Sequence, residues 1–389
     1  MNKIKKIGVV TGARSDYGLL YWVMKEIKEN SEMELIPLVT GSHLSKKFGY
    51  TMQEIIDDGF KNLVEIKIST DDLSPYGIAK AMSQGVRGFA EYFKSNPLDF
   101  LLVLGDRFEI LAAALAALPY NLVIGHLGGG EISAGAIDDS IRHCLTKLSH
   151  FHFPITAECA ERIKKMGEEP WRIKVVGSPR LDFINKVRFK SKEVLAKEFK
   201  INFSGRVALV IYHPVTLEFK DAENQINNLL TAIDKLGIET VLIYPSFDTR
   251  SDVIISKIKK FARRNPKVKL FKNFERDDYL SILNSVDVFI GNSSSGLIEA
   301  PSFGLPVVNI GNRQKGRDQI NNVINVGYSS DSIVKGAGKA LSDKEFIKSL
   351  ESLTNPFGDG SASKKVVKFL SKIDLDDSKI NRKIFNQRS

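Results

Sequence analysis

The stretch Ile290-Gly291-Asn292-Ser293-Ser294-Ser295-Gly296-Leu297-Ile298-Glu299 decides how the rest of the chain is read. Apolar residues running up to Ile290 suit a buried strand, small residues make the turn, and Leu297-Ile298 resume helical spacing. Backbone N–H groups left unpaired at a helix start carry partial positive charge, and Gly and Ser let an anion approach them closely. The pattern predicts a phosphate-holding junction at Asn292, Ser293, Ser294, Ser295 and Gly296, with Glu299 one turn inside to accept hydrogen bonds from ribose hydroxyls. An ordinary capped helix gives the same local pattern, so the surroundings must decide.

Working outward, short apolar runs alternate with longer helical patterns. Before the quoted stretch they are Ile7 to Thr11, Leu35 to Thr40, Leu98 to Leu104, Leu122 to Leu127, Phe151 to Ile155 and Ile173 to Val176. A Lys-rich helical segment reaches Lys200, and the rhythm restarts at Val207 to Tyr212, Thr240 to Tyr244, Val268 to Phe271, Val286 to Ile290 and Val307 to Ile310. Apolar runs buried on both faces and separated by helices predict parallel sheets, with ligand loops at the C-terminal strand ends. The chain therefore reads as α/β, with two Rossmann-like domains facing a cleft: residues 1–182, residues 183–372, and a polar, frayed tail over 373–389.

Composition narrows the function. At 389 residues the chain exceeds the usual limit for one core. Its formal charge is +10, but Lys and Arg are scattered over helices, which argues for a small anionic substrate and against nucleic acid. Cys144 and Cys159 have no CxxC partner, which points to a reducing cytoplasm. No apolar run approaches the ~18 residues of a membrane span, so neither a membrane anchor nor a signal peptide is expected. His143, His150 and His152 share no clear face, and no metal site is expected there.

The strand tips carry the candidate chemistry. Thr11-Gly12-Ala13-Arg14-Ser15-Asp16 follows the first strand, where Arg14 suits a phosphate and Asp16 suits a helix cap. Asp106 stands at a strand tip, with Glu109 inside the following helix in a structural role. Glu131 follows three glycines, and Asp138-Asp139 open a helix. Asp106, Glu131 and Asp138 thus form a predicted carboxylate cluster, in which burial and mutual repulsion raise at least one pKa and divide acid from base duty. His213-Pro214 and the basic loop Arg313-Gln314-Lys315-Gly316-Arg317 are placed to meet the same anion.

Together Thr11-Gly12-Ala13-Arg14-Ser15-Asp16-Tyr17-Gly18, Val39-Thr40-Gly41-Ser42-His43-Leu44, Gly105-Asp106-Arg107, Gly129-Gly130-Glu131, Ile137 to His143, Tyr212-His213-Pro214 and Gly291 to Gly296 resemble the hydrolysing UDP-N-acetylglucosamine 2-epimerases. The resemblance covers nearly the whole chain. It implies the GT-B arrangement of two Rossmann-like domains, a homodimer or dimer of dimers, and neither metal nor nicotinamide cofactor. The implied reaction removes the C2 proton while UDP leaves C1, giving 2-acetamidoglucal, and then adds water at C1 with reprotonation of C2 from the opposite face. The products are N-acetylmannosamine and UDP, at the start of sialic acid synthesis.

By resemblance, Asp106, Glu131 and Asp138 match or neighbour the catalytic carboxylates and His213 contacts substrate. Arg14, Ser15, His43, the Asn292 to Gly296 loop, Glu299 and Arg313 fall to nucleotide and substrate binding. Some relatives carry Glu at the place of Gly128, and this chain has one more residue among Ala134 to Ala136, which leaves Glu131 as the nearest candidate for the C2 base. A similar branch of the family acts on UDP- or GDP-linked 2,4-diacetamido-2,4,6-trideoxyhexose in legionaminic acid synthesis, and Tyr244 to Arg250 and Asn273 to Arg276 are candidates for contacting sugar and base. A GT-B glycosyltransferase is the more distant alternative, disfavoured by the carboxylate cluster.

Overall fold

Two parallel sheets organise the chain, and they have the same topology. In the computed structural model, which describes residues 4–72, 74–132, 137–245 and 251–383 (backbone only at 216 and 217), the first sheet contains β1 (Lys5–Thr11), β2 (Met33–Thr40), β3 (Val64–Ile66), β4 (Phe100–Leu104), β5 (Val123–Leu127) and β6 (Phe151–Phe153). Its order is β3-β2-β1-β4-β5-β6. The second contains β7 (Val207–Ile211), β8 (Glu239–Ile243), β9 (Val268–Phe271), β10 (Val288–Gly291), β11 (Val307–Ile310) and β12 (Val323–Val326), in the order β12-β11-β10-β7-β8-β9. Every pairing is parallel.

The strands are held from both sides. All residues of β4, β5 and β7 are buried, because helices cover each face and leave no solvated side. In each sheet the strand order reverses at one place, β1 beside β4 and β7 beside β10. Neighbouring loops there run to opposite faces and leave a crevice at the carboxyl ends of the strands. The residues of interest in each sheet collect at these ends.

The chain divides into two compact units, one of Met1–Phe183 with Pro356–Ser389 and the other of Ile184–Asn355. This corrects the expected boundary at residue 372, since the final 34 residues return to the first unit (389 − 356 + 1). The helix Ala362–Lys372 buries Val366, Val367 and Leu370 in the cluster that holds Met24 and Ile27. The Asp182 carboxylate accepts from the N–H groups of Ala362 and Ser363 at 2.8 and 2.6 Å, tying down the helix start.

The expected frayed tail is also corrected, through Lys383. Ile380 is buried, and the fully buried Arg172 guanidinium donates to the carbonyls of Lys379 and Ile380, each at 2.9 Å. Lys383 Nζ lies 2.8 Å from Glu168 Oε2 and donates to the carbonyls of Lys147 and Ser149. The mixed charge that reads as solvated is in part the charge that pairs. One expected strand, Ile173 to Val176, is reduced to a single bridge between His152 and Ile173.

Candidate functional site

In the first unit the carboxyl ends of β4 and β5 converge on one guanidinium. Arg142 projects from the helix Ile137–Leu148, and its side chain is 7% exposed. It contacts the Asp106 carboxylate through Nη2, donates through Nη1 to Glu131 Oε2 at 3.1 Å, and donates through the same nitrogen to Gly128 O at 2.8 Å. A planar fork suits this divergent set better than an ammonium would. Asp106 and Glu131 keep 23% and 35% of their side chains exposed, so both remain reachable. The repulsion expected between them is countered by the cation lying between them.

A side chain at Gly128 would meet Glu131: a Cβ built there stands 3.6 Å from Glu131 Oε2. The space that a residue at position 128 would use is already faced by the Glu131 carboxylate. Asp138 opens the Arg142 helix one turn earlier, an i,i+4 spacing that puts both on one face. Its charge also acts on Arg107. The residues Ser133–Ala136, with the extra residue expected among them, lie outside the described residues.

Sequence reasoning passes over a second charged group beside the first. Arg107 Nη2 donates to Glu109 Oε1 at 2.7 Å, and its Nε lies 3.7 Å from Asp16 Oδ2. Glu109 and Asp16 are both buried. Burial, then the Glu109 charge, outweigh Arg107 and push the Asp16 carboxyl, read from the sequence as a helix cap, up to about 6. No signal in local spacing joins residue 16 to residues 107 and 109; β1 and β4 bring them together as sheet neighbours.

His43 is corrected from a substrate contact to an internal support. It is fully buried, with Nε2 2.9 Å from Thr11 Oγ1 and Nδ1 2.8 Å from Thr51 Oγ1, so both ring nitrogens are taken. Burial pushes its pKa down to about 4. Arg14 and Ser15 stand exposed at the start of the helix Arg14–Glu29, Arg14 donating to Glu54 Oε2 at 2.9 Å. They are open to a ligand, and Arg14 must exchange or share that carboxylate to take one.

In the second unit the switch between β7 and β10 carries the quoted loop. Gly291 adopts φ +147°, and a Cβ there would stand 1.9 Å from Ile211 O, so only glycine fits. The Asn292 side chain then clasps the next strand tip: Oδ1 accepts from His213 N–H at 2.7 Å, and Nδ2 donates to His213 O at 2.8 Å. Arg313 and Gln314 donate to Asn292 O at 3.2 and 2.7 Å. Asn292, His213 and Arg313 therefore form one connected group.

The predicted helix after this loop is shorter than expected. It is a single turn, Ser295–Ile298, followed by a 3-10 turn Ala300–Phe303 that contains Pro301, because proline cannot continue the ladder. Ser293, Ser294 and Gly296 shape the turn, Ser295 contacts the Tyr279 hydroxyl, and Glu299 is buried just beyond it. Phe274 packs on Phe271 and Phe199, with centroids 4.4 and 5.1 Å away, so it is part of an aromatic cluster. Ser246–Arg250, the greater part of a proposed sugar contact, lie outside the described residues.

Among the described residues no group of three or more His, Cys, Asp or Glu is arranged to hold a metal, and no helix is long and apolar enough to cross a membrane.

A family model described as UDP-N-acetylglucosamine 2-epimerase matches residues 25–371. The chain is 36% identical over 379 residues to the UDP-N,N'-diacetylbacillosamine 2-epimerase (hydrolyzing) of Legionella pneumophila, covering 97% of this chain and 99% of that one. It is 34% identical over 344 residues to the GDP/UDP-N,N'-diacetylbacillosamine 2-epimerase (hydrolyzing) of Campylobacter jejuni, covering 88% of each. The crystal structure of UDP-GlcNAc 2-epimerase from Neisseria meningitidis bound to UDP-GlcNAc superposes with a TM-score of 0.77 over 95% of this chain and all of that one, at 19% identity, and shares the fold. The repeated sheet topology thus has the GT-B-like form, and the chain belongs to the hydrolysing UDP-N-acetylglucosamine 2-epimerase family.

Proposed function

We propose that this protein converts UDP-linked 2,4-diacetamido-2,4,6-trideoxyglucose into the free 2-epimeric sugar and UDP, by elimination and hydration. What carries the reading is the pairing of Asp106 and Glu131 on the buried Arg142, in a chain 36% identical over almost its full length to a diacetylbacillosamine 2-epimerase. UDP-N-acetylglucosamine, the substrate first expected from the motifs, takes second place. The two relatives more than a third identical that are described above are both named for the diacetylated sugar.

In the first half-reaction Glu131 takes the proton from C2, electrons close the C1–C2 double bond, and the C1–O bond breaks to release the nucleoside diphosphate. In the second, water adds its oxygen at C1 and gives up a proton to solvent, while a protonated Asp138 donates its proton to C2 from the opposite face; the proton held on Glu131 then passes to solvent and Asp138 is reloaded from it. Separate groups are needed, because one carboxylate cannot serve both faces of the ring. Asp106, held by Arg142, orients the reacting sugar. The leaving diphosphate gains charge as the bond breaks, and Arg313, the His213 tip and the hydroxyls and N–H groups of Ser293, Ser294 and Ser295 are our candidates to stabilise it; Arg14 and Ser15 are our candidates for substrate binding in the first unit. Glu299 is the proposed ribose contact. We expect a homodimer or dimer of dimers acting in the cytoplasm, in line with the family resemblance.

The test is NMR of products in deuterated water, offering UDP- and GDP-linked diacetamido-trideoxyglucose and UDP-N-acetylglucosamine in parallel. Free diacetamido-trideoxy sugar of inverted C2 configuration carrying deuterium at C2, from the UDP-linked substrate, supports the proposal. Turnover of only UDP-N-acetylglucosamine moves the enzyme to the first-expected substrate. Product without solvent deuterium overturns the mechanism.

A further inference from the structure

The hydrogen bonds around the second unit's anion loop close into a ring whose hub lies off the loop itself. Tyr212 is buried, and its hydroxyl donates to Gln225 Oε1 at 2.9 Å. Gln225 Nε2 donates to Glu218 Oε2 at 2.9 Å, and the Tyr328 hydroxyl donates to the same oxygen at 2.5 Å. Glu218 Oε1 accepts from Asn312 Nδ2 at 3.1 Å, while the Asn312 N–H donates back to the Tyr328 hydroxyl at 3.1 Å. Asn312 precedes Arg313 and Gln314, which both donate to Asn292 O. The Asn292 side chain grips the main chain of His213, the residue after Tyr212.

Three donors from three segments therefore converge on one carboxylate. Burial acts to raise the Glu218 pKa, but the bonds from Tyr328, Asn312 and Gln225 prevail and hold it below the usual carboxylate range. Burial, followed by the Glu218 bond, pushes the Tyr328 hydroxyl up to about 12, which keeps it a donor. Charge-assisted bonds of this kind are the stronger class, and a closed ring of them constrains its members more than separate pairs do.

We propose that Glu218 is a positioning residue for the nucleotide end of the substrate, setting the separation of the His213 strand tip and the Arg313 loop through Tyr328 and Asn312. The inference rests on the reading that His213, Asn292 and Arg313 contact the diphosphate. Glu218 itself needs no contact with substrate. Its effect falls on binding of the nucleotide, whereas the carboxylates of the first unit govern the proton steps.

The test measures UDP affinity by calorimetry, together with KM, kcat and melting temperature, for the unaltered protein, Glu218→Gln, Tyr328→Phe, Glu218→Asp and the Gln/Phe double variant. The single Gln and Phe variants weaken UDP and raise KM by about tenfold, the scale of one charge-assisted bond, and change kcat by less than about threefold. The double variant falls short of the product of the two single effects, since both remove the Tyr328–Glu218 bond, and Glu218→Asp restores part of the affinity. Affinity within about twofold of the unaltered protein in folded Glu218→Gln and Tyr328→Phe overturns the inference, as does a fall confined to kcat. Should Glu218→Gln fail to fold, Tyr328→Phe decides on the same criteria, because it removes one hydroxyl and leaves the carboxylate satisfied by two donors. An unaltered protein that binds neither UDP nor GDP refutes the functional reading instead.

Discussion

Replacing Arg142 by Lys separates the role of the guanidinium fork from that of its charge. The fork serves three acceptors, the Asp106 carboxylate, Glu131 Oε2 at 3.1 Å and Gly128 O at 2.8 Å. An ammonium on a shorter reach keeps one of them, so two charge-assisted bonds are lost. Such a bond contributes about 1.5–3 kcal/mol; with Asp106 and Glu131 partly hydrated, the lower figure applies, giving about 3 kcal/mol of lost stability. Displacing a catalytic group by about 1 Å costs on the order of a hundredfold in rate, so kcat falls by about 10² or more with the nucleotide affinity unchanged. Chemical denaturation reads the first quantity, and solvent-deuterium incorporation at C2 with UDP calorimetry reads the second. A folded Arg142→Lys protein turning over within about threefold of the original would refute the reasoning, because it would show that Asp106 and Glu131 hold their places without the fork.

Glu131→Gln keeps the shape and removes the proposed C2 base, so turnover and deuterium uptake fall by at least about 10², the scale of general base catalysis; near-normal uptake would reassign the base. Acid weakens the first unit in a defined window. Burial pushes His43 down to about 4, His126 to about 3 and His150 to about 4 from an ordinary 6.5, with His152 also lowered. Each is held toward the neutral form when folded and takes a proton on unfolding, so stability is whole above pH 6.5 and is lost as the pH falls from 6.5 toward 4, by on the order of 3 kcal/mol for each of His43 and His150. Asp16, raised to about 6, works in the opposite sense between 3.8 and 6 and offsets part of one histidine. A melting temperature unchanged from pH 7 to about 5 would contradict this. Arg172→Met frees the carbonyls of Lys379 and Ile380 and removes the 2.7 Å bond to Glu169, costing about 3 kcal/mol. Limited proteolysis then cuts first within residues 373–383; an unchanged digestion pattern would count against that latch.

The central strands were legible because burial on both faces leaves an unbroken apolar run, as in Phe100–Leu104 and Val207–Ile211. β3 and β12 were not. Val64-Glu65-Ile66 and Val323-Ile324-Asn325-Val326 are half-exposed sheet edges of three and four residues, too short and too polar to stand out. The placement of Asp106 and Glu131 at neighbouring strand tips follows from sheet order, and the sequence rhythm carries it. Arg142 escaped notice because it lies among Asp138, Asp139 and His143, where a charge run reads as a solvated face. Its spacing of four from Asp138 was the available signal. His43 stood inside a family-like motif, yet its burial depends on the distant Thr11 and Thr51, which no local pattern reports.

The return of the final segment to the first unit matters for how this protein is made. A ribosome finishes residues 1–183 and must then add the 172 residues from Ile184 to Asn355 (355 − 184 + 1) before Pro356 emerges. At ~5–20 residues per second that is roughly 10–30 s. Throughout this interval the apolar surface around Met24 and Ile27 lacks Val366, Val367 and Leu370, its native cover. The nascent first unit is then exposed to chaperones, and to the same segment of another completed copy, an exchange that would yield swapped dimers. Expression as a fragment ending near residue 183 leaves that surface bare permanently and gives aggregate, whereas co-expression with a separate 356–389 peptide supplies the missing cover.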